Sequence, residues 1–370
     1  MDRISNKKLF IITAALVAFL AVSILLLVTG VAQEFFMSLG IYEESEKNID
    51  ITYLDYVPKG SSELTTFDDN IIIADQSGVS CFSEDGVWLW SKELNLQNPV
   101  ILKTDKKIAV ADIGGTGIHF FNKNGFTETY LSSDTIIGVS ENTVNSHLCF
   151  IHKADSYISA VTVLDFTADV KAVATRKFGE YYMSAASIAP SGEEFIVSGI
   201  KAKEDTYEAV AVKLGMKDLS VKETVEALCD TWLPKVEYVK ENTIVFTGGN
   251  AIVIMKGDDK TTVEGKFNGA VIENGNVFTV GQDNEKNVVR EYSLSGKKTF
   301  EFEIGRMADG ISIYKNTVVL FSENEANLYN KYGHFLGTLD EITQISSIEF
   351  TGKRHFLVCG GSRTAEVDVG

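Results

Sequence analysis

Residues 71–90 read IIIADQSGVSCFSEDGVWLW, and this stretch decides the fold. It consists of a short apolar run, a turn at Gln76-Ser77-Gly78, a second apolar strand, a turn at Glu84-Asp85-Gly86 and a third strand. Glycine supplies the positive φ that tight hairpin turns need, and the β-branched and aromatic residues around each turn favour strands. The pattern therefore predicts consecutive antiparallel strands joined by hairpins.

The same unit recurs along the chain. Residues 108–126 read IAVADIGGTGIHFFNKNGF, which repeats the apolar run, the glycine turn and the next strand. Strands that are apolar at every position are typical of burial on both faces, as between two neighbouring blades of a propeller. A spacing of 33 to 49 residues, the period of four-stranded blades, separates the apolar runs, which begin at Ile71, Ile108, Leu148, Phe195, Ile244, Val277, Val318 and Phe356.

Eight runs predict an all-β, eight-bladed propeller, with seven blades as the alternative if one unit is miscounted. The last unit ends at Gly370 without an outermost strand. The segment Ile49–Val57 alternates partly in polarity, so we expect it to supply that strand and close the ring, which hides an open sheet edge. Register is hardest to assign between Ser140 and Trp232, where Lys217–Cys229 fits either a strand with a loop or a short helix.

The N-terminal residues have a different character. Leu9–Ala32 contains no charged residue, and as a helix it would be about 36 Å long, enough to cross a hydrocarbon core. Basic residues precede this run, so the positive-inside rule predicts a cytoplasmic N-terminus. We predict a cytoplasmic stub over residues 1–8, a transmembrane signal-anchor helix over 9–32, a juxtamembrane linker over 33–48 and an extracytoplasmic β-propeller over 49–370.

The predicted localisation is the cell membrane, crossed once, with the N-terminus cytoplasmic and the propeller extracellular. A cleaved signal peptide is the alternative, but the apolar region of a signal peptide is shorter, at about 7–15 residues.

The acidic balance of the chain narrows the class of partner. The formal net charge is −17, with 51 acids and 34 bases. Residues 1–8 hold one acid and three bases, which leaves 50 acids, 31 bases and a net charge of −19 for the rest. Phosphate binding depends on Lys and Arg, so the charge argues against a nucleic-acid partner. It favours cationic or neutral partners, unless it serves solubility alone.

The sequence gives only weak indications of a metal, redox or phosphate site. Four cysteines, Cys81, Cys149, Cys229 and Cys359, lie far apart, so a disulfide framework is not expected. Cys81, Cys149 and Cys359 fall in apolar strand runs of different blades, where buried free thiols are expected. His147 and Cys149 share a strand face without further ligands. Gly114–Gly117 resembles a phosphate loop, but a strand follows where a phosphate cradle needs a helix N-terminus. We therefore predict no catalytic, cofactor-binding or metal-binding residue.

Gly86-Val87-Trp88-Leu89-Trp90 resembles the outer strand of quinoprotein-type, WD40-like propeller repeats, in which tryptophans dock one blade against the next. The quinone-binding members also need calcium ligands and a vicinal disulfide, and no adjacent cysteines occur here. With the basic N-terminus, Asp55-Tyr56-Val57-Pro58 and the first two blades, the chain is similar to domain-of-unknown-function family 5711, single-pass membrane-anchored bacterial propellers. That resemblance covers nearly the whole chain, implies an anchored extracytoplasmic propeller and transfers no site residue.

The predicted function is a non-catalytic scaffold that binds protein partners near the membrane. A small-molecule or cation sensor is the alternative. A propeller oxidoreductase, hydrolase or lyase is the least favoured function, and several acids or histidines converging on one rim would favour it. The candidate contact surfaces are the loops that follow the apolar runs, at Gly114–Gly117, Lys201–Thr206, Gln282–Asn287 and Gly360–Arg363.

Overall fold

A computed structural model describes residues 47–104 and 106–370. In this part of the chain, 32 strands form eight four-stranded antiparallel sheets arranged as the blades of a propeller. The predicted eight-bladed, all-β propeller is confirmed, and the seven-bladed alternative is wrong. The predicted stub, transmembrane helix and most of the linker fall in residues 1–46, outside the described residues. Among the described residues, no helix is long and apolar enough to span a membrane.

Blades 1–7 take their four strands in chain order from the central channel outwards, and blade 8 takes its outermost strand from the start of the chain. That strand is β1 (Ile49–Leu54). The other strands are, in blade 1, β2 (Ser62–Phe67), β3 (Asn70–Asp75), β4 (Gly78–Ser83) and β5 (Trp88–Glu93); in blade 2, β6 (Asn98–Lys103), β7 (Ile108–Ile113), β8 (Gly117–Asn122) and β9 (Gly125–Leu131); in blade 3, β10 (Ile136–Val139), β11 (His147–Ala154), β12 (Tyr157–Asp165) and β13 (Lys171–Phe178); and in blade 4, β14 (Tyr181–Ile188), β15 (Glu194–Ala202), β16 (Tyr207–Gly215) and β17 (Val221–Val225).

The second half of the ring repeats this order. Its strands are, in blade 5, β18 (Lys235–Lys240), β19 (Thr243–Thr247), β20 (Ala251–Lys256) and β21 (Asp259–Glu264); in blade 6, β22 (Lys266–Glu273), β23 (Asn276–Asp283), β24 (Lys286–Ser293) and β25 (Lys298–Ile304); in blade 7, β26 (Gly310–Tyr314), β27 (Thr317–Phe321), β28 (Ala326–Asn330) and β29 (Phe335–Leu339); and in blade 8, β30 (Ile345–Phe350), β31 (His355–Gly360) and β32 (Thr364–Val369).

The core lies between the blades. In β7, the side chains of Ile108, Ala109, Val110 and Ala111 have no exposed surface, because neighbouring blades cover both faces of the sheet. Each predicted apolar run belongs to the second strand of a blade, which explains why those runs do not alternate with polar residues. The ambiguous segment Lys217–Cys229 contains strand β17 with loops on either side, so the short helix is wrong.

Strand β1 closes the ring as expected. It pairs antiparallel with β32 over six residue pairs, from Ile49 opposite Val369 to Leu54 opposite Thr364. Ile49 and Ile51 pack against the apolar cluster shared by blades 7 and 8, and Leu54 packs against blade 1. The N-terminal strand is thereby fixed by both its backbone and its side chains.

The two ends of the ring differ in the turns that form them. Turns between the second and third strands, together with the connections between blades, form one end, which we call the BC rim. The opposite AB rim holds the remaining hairpin turns and the point where the chain enters, with Asn48 beside Gly370 (N···O 2.9 Å). All four predicted contact loops lie on the BC rim, and the BC rim is therefore the first place to look for a binding site.

Candidate binding surface at the channel mouth

Large apolar side chains are exposed together on one part of the BC rim. We call Tyr157, Ile158, Tyr182, Tyr207 and Trp232 the aromatic rim surface; each is between 42% and 49% exposed. They belong to blades 3 and 4 and to the connection that enters blade 5. Single exposed apolar side chains are ordinary, but a group of them on one face marks an interaction surface.

Contacts within the rim hold this surface in place. Trp232 donates its indole N–H to Ser184 Oγ at 3.2 Å. Ser184 is the extra residue of a β-bulge between Met183 and Ala185, and a bulge re-aims the side chain at that position. The bonded indole therefore lies beside β14, two residues along the strand from Tyr182.

Ion pairs fix the neighbouring part of the rim. Lys201 lies 2.9 Å from Glu226 and 3.5 Å from Glu180, and its ammonium is 5.6 Å from the centre of the Tyr181 ring. Tyr181 donates to the same Glu226 carboxylate at 3.0 Å, and the hydrogen bond from Lys201 lowers the pKa of Glu226 most strongly. These contacts favour the ionised form of Glu226 and link the side chains of Lys201, Glu226 and Tyr181 to one another.

The channel inside the ring is lined by carboxylates from several blades. Glu63 lies on β2, Glu141 two residues after the end of β10, Glu237 on β18 and Glu349 on β30, and we call these four the channel carboxylates. The charges of Glu141 and Glu349 act on Glu63, and Glu141 also acts on Glu237. Lys235 of blade 5 acts on Glu63 of blade 1, half-way around the ring. Such influence across the ring indicates that these side chains face one common space.

The pKa values of two of these groups lie close to neutrality. Burial raises the pKa of Glu63 to about 7; the N–H of Ile101 and the charge of Lys235 oppose the rise, and Glu141 and Glu349 add to it. Limited access of water raises the pKa of Glu237 to about 7 as well, with a further contribution from Glu141 and opposition from Lys235. At neutral pH Glu63 and Glu237 are therefore each partly protonated and partly ionised, and both become mostly ionised above neutrality.

Lysine side chains neutralise some of the channel carboxylates more fully than others. Lys103 pairs with Glu349 at 2.7 Å and also donates to Thr65 Oγ1 at 3.0 Å, which neutralises that carboxylate. Lys235 alone acts on Glu63, Glu141 and Glu237 together. The part of the channel that opens at the BC rim is therefore acidic, because Glu63, Lys235 and Glu237 lie within the first three residues of their strands there.

The sequence matches the model of the Family of unknown function (DUF5711) over residues 45–369. The chain belongs to the DUF5711 family. This match confirms the family that the resemblance named, and the structure confirms the propeller that it implied. No match to the sequence is found among curated proteins.

Solved structures resemble this DUF5711 chain in fold alone. Saccharomyces cerevisiae Sqt1 aligns with a TM-score of 0.64 and 7% identity, over 88% of this chain and 100% of that one. BamB from Moraxella catarrhalis aligns with a TM-score of 0.58 and 10% identity, over 87% and 96%. A streptogramin B lyase aligns with a TM-score of 0.51 and 12% identity, over 87% and 98%. At these identities the comparison carries over the propeller and no ligand or reaction.

The cysteines and His147 singled out in the sequence belong neither to the aromatic rim surface nor to the channel carboxylates. Cys81, Cys149 and Cys359 are buried free thiols, as predicted, and Cys229 is a partly exposed one. Cys149 is fully buried, and His147 Nδ1 lies 2.9 Å from a backbone oxygen of Asn145. In the part of the chain that the structure describes, no three His, Cys, Asp or Glu side chains come together as metal ligands.

In the DUF5711 propeller, the loop Gly114–Gly117 is a turn between two strands, and the two tryptophans of β5 differ in whether they pack against the next blade. Gly114 has a φ of +98° in the turn between β7 and β8, with no helix after it. Trp90 stacks on Phe121 of blade 2, with ring centres 5.6 Å apart, as the repeat resemblance implies. The docking role expected of Trp88 is wrong, because Trp88 is 58% exposed. A bulge at the start of β5 sets Trp88 opposite Phe82 but Trp90 opposite Cys81, so the two indoles leave opposite faces of the sheet.

Sequence reasoning missed both the aromatic rim surface and the channel carboxylates. An alignment of the units on their innermost strands shows one signal, a glutamate near the start of Ser62-Glu63-Leu64 and of Lys235-Val236-Glu237. A charged residue in an innermost strand has the channel as its only route to water, since both sheet faces are covered by other blades.

Proposed function

We propose that this DUF5711 protein is a scaffold that binds a protein partner on the aromatic rim surface at the mouth of the channel. The exposure of Tyr157, Tyr182, Tyr207 and Trp232 on one rim is the observation that carries the proposal. Tyrosine and tryptophan offer a large contact area at low entropic cost and dominate the binding energy of interfaces. The ion pairs of Lys201 support it further, because a surface that is already ordered binds with less loss of entropy.

The scaffold is further proposed to be non-catalytic and held outside the cell by the helix predicted over residues 9–32. The position of the rims supports this arrangement. The described chain enters the ring at the AB rim, where Asn48 lies beside Gly370. The aromatic rim surface lies at the other end and would point away from the anchor, where a partner can reach it.

Protease added to intact cells is expected to digest the propeller within the time that a cytoplasmic marker protein stays intact. The reason is that the basic N-terminal flank retains residues 1–8 inside and places the following domain outside. Immunoblotting against a C-terminal tag measures the loss. Protection of the propeller until the cells are lysed would contradict the proposed topology.

Replacing both Tyr182 and Trp232 by alanine is expected to remove the main partner from proximity labelling with an enzyme fused to the C-terminus. Truncation of interface tryptophans and tyrosines commonly costs about 2 kcal/mol or more, which is about 30-fold in affinity. Quantitative mass spectrometry compares the variant with the unaltered protein, and melting curves confirm that both are folded.

The matched control is Trp88→Ala, because Trp88 is also exposed but lies on the outer edge of blade 1. This variant is expected to keep the partner. Failure to recover any reproducible neighbour, or equal recovery by both variants, would count against the scaffold.

An enzyme with its site in the channel is the second candidate. The convergence of Glu63, Glu141 and Glu237 favours it, since carboxyl groups with pKa values near the working pH suit general acid–base catalysis. The scaffold is preferred because the aromatic rim surface offers a broad contact area outside the channel, which a small substrate does not need.

A further inference from the structure

We infer that the partner presents a basic segment, rich in lysine or arginine, which lies on Tyr182 and Trp232 and directs a cationic side chain into the channel towards Glu63 and Glu237. The inference rests on the proposed function and adds the chemistry of the partner. Two independent observations carry it, one from the aromatic rings of the rim and one from the charges at the channel mouth.

The aromatic rings of this rim already accept cations. The ammonium of Lys177 lies 5.3 Å from the centre of the Tyr157 ring, and that of Lys201 lies 5.6 Å from the centre of the Tyr181 ring. Ring faces attract ammonium and guanidinium groups at such distances, and tryptophan does so most strongly. Within the described residues no lysine or arginine lies over Tyr182 or Trp232, so these two exposed rings are open to a cation from outside.

Charge complementarity selects the same kind of partner. Lys235 acts against three channel carboxylates, Glu63, Glu141 and Glu237. Two of them, Glu63 and Glu237, lie near the BC-rim ends of their strands, as Lys235 does. The walls of a narrow channel concentrate such a field and raise the local concentration of cations. A segment with acidic side chains would be repelled there, and the net charge of −17 extends the repulsion over the whole molecule.

Geometry allows one segment to use both features. Tyr182 lies on the innermost strand of blade 4, and Trp232 lies three residues before Lys235 at the start of the innermost strand of blade 5. Glu237 follows two residues further along that strand. The extended side chain of lysine or arginine reaches about 6 Å from its Cα, enough to pass from the rings towards these carboxylates while its apolar stem lies against the rings.

The test uses the full chain at pH 8 and isothermal titration calorimetry with a hexa-arginine peptide as the probe. Hexa-arginine is expected to bind, and hexa-glutamate is not. The double variant Glu63→Gln with Glu237→Gln is expected to weaken binding at least about tenfold, because each substitution removes a charge facing the bound cation. Trp232→Ala is expected to weaken it about threefold to tenfold, through the lost contact with the ring.

Matched controls separate a built site from general attraction to an acidic protein. Asp258→Asn with Asp259→Asn also removes two negative charges, but from exposed positions on the outer part of blade 5. It is expected to change the affinity by less than about twofold, since exposed charges more than a Debye length away are screened. Trp88→Ala is the control for Trp232→Ala. Melting curves show whether each variant is folded.

Absence of hexa-arginine binding, or an equal loss in the two double variants, would overturn the inference. This failure is distinguishable from failure of the proposed function. A partner lost on replacement of Tyr182 and Trp232, but retained by Glu63→Gln with Glu237→Gln, would leave the scaffold intact and remove the basic segment. A partner retained by both sets of variants would remove the scaffold itself.

Discussion

Replacing both Ile49 and Ile51 by aspartate is expected to open the ring and destabilise the propeller by about 3–5 kcal/mol, a large part of the 5–15 kcal/mol that holds a typical protein folded. These two side chains point from β1 into the apolar cluster of blades 7 and 8. Burying two carboxylates there is unfavourable, so β1 would leave β32 and expose a sheet edge that other chains can pair with. Thermal unfolding followed by circular dichroism measures the loss, and size-exclusion chromatography measures the association.

The control substitutions lie on the other face of the same strand. Asp50 and Thr52 are exposed, so Asp50→Asn with Thr52→Ser is expected to change stability by less than about 0.5 kcal/mol. If the isoleucine variant melts like this control, β1 does not close the ring in solution.

Glu63→Gln is expected to stabilise the propeller at pH 8 and to leave its stability unchanged near pH 4. The pKa of Glu63 rises from 4.5 in the unfolded chain to about 7 in the folded one. Below 4.5 both states hold the proton and the group has no effect. Between 4.5 and 7 the unfolded chain loses the proton first, so stability falls as the pH rises and the full penalty applies above 7. Removing the charge recovers up to about 3 kcal/mol.

Glutamine suits this test because its amide oxygen can still accept the N–H of Ile101, which Glu63 accepts in the folded protein. Denaturant unfolding at pH 4, 6 and 8 measures the difference between the variant and the unaltered protein. Glu93→Gln, an exposed position on the outer strand of the same blade, is expected to show no such trend. A gain of the same size at all three pH values, or a loss at pH 8, would show that Glu63 is not held in its raised state by the channel.

The ionised side chain of Glu63 destabilises the folded protein, so folding does not explain why a glutamate stands at this position. The same substitution that stabilises the ring is expected to weaken binding of a basic segment at the channel mouth. Stability and recognition would then be opposed at one position, as is common where a binding site holds unpaired charge.

The fold was predictable because its strongest signal is local. A second strand covered on both faces must be apolar at every position, so Ile71–Asp75 and Ile108–Asp112 identify their blades without reference to the rest of the chain. Closure by Ile49–Leu54 was predictable for a related reason, since a ring with an incomplete last blade needs a strand from its other end. The position of the four contact loops on one rim was also predictable. Successive strands of a blade run in opposite directions, so every turn after a second strand lies at the same end of the ring.

The channel mouth was not predictable in the same way. Glu63 and Glu237 are 174 positions apart in the sequence and share the channel only because the innermost strands of blades 1 and 5 both line it. Tyr182 reads as an ordinary strand residue and Trp232 as a loop residue, and nothing local in the sequence indicates the bulge that makes Ser184 the partner of the Trp232 indole. The different orientations of Trp88 and Trp90 also depend on a bulge, and one extra residue in a strand leaves no mark on an alternating pattern.

Closure by the first strand also sets the order of events during synthesis. Every strand-pairing partner of β1 lies on β32, and the nearest pair, Leu54 and Thr364, is separated by 310 residues. At a synthesis rate of about 5–20 residues per second, β1 waits roughly 15 to 60 s before its partner exists. Seven blades can form by pairing with their own neighbours in that time, whereas the eighth cannot be completed until β32 has been synthesised. A chain that stops before β32 would therefore keep both an unpaired first strand and an open eighth blade, two exposed sheet edges that distinguish it from the closed ring.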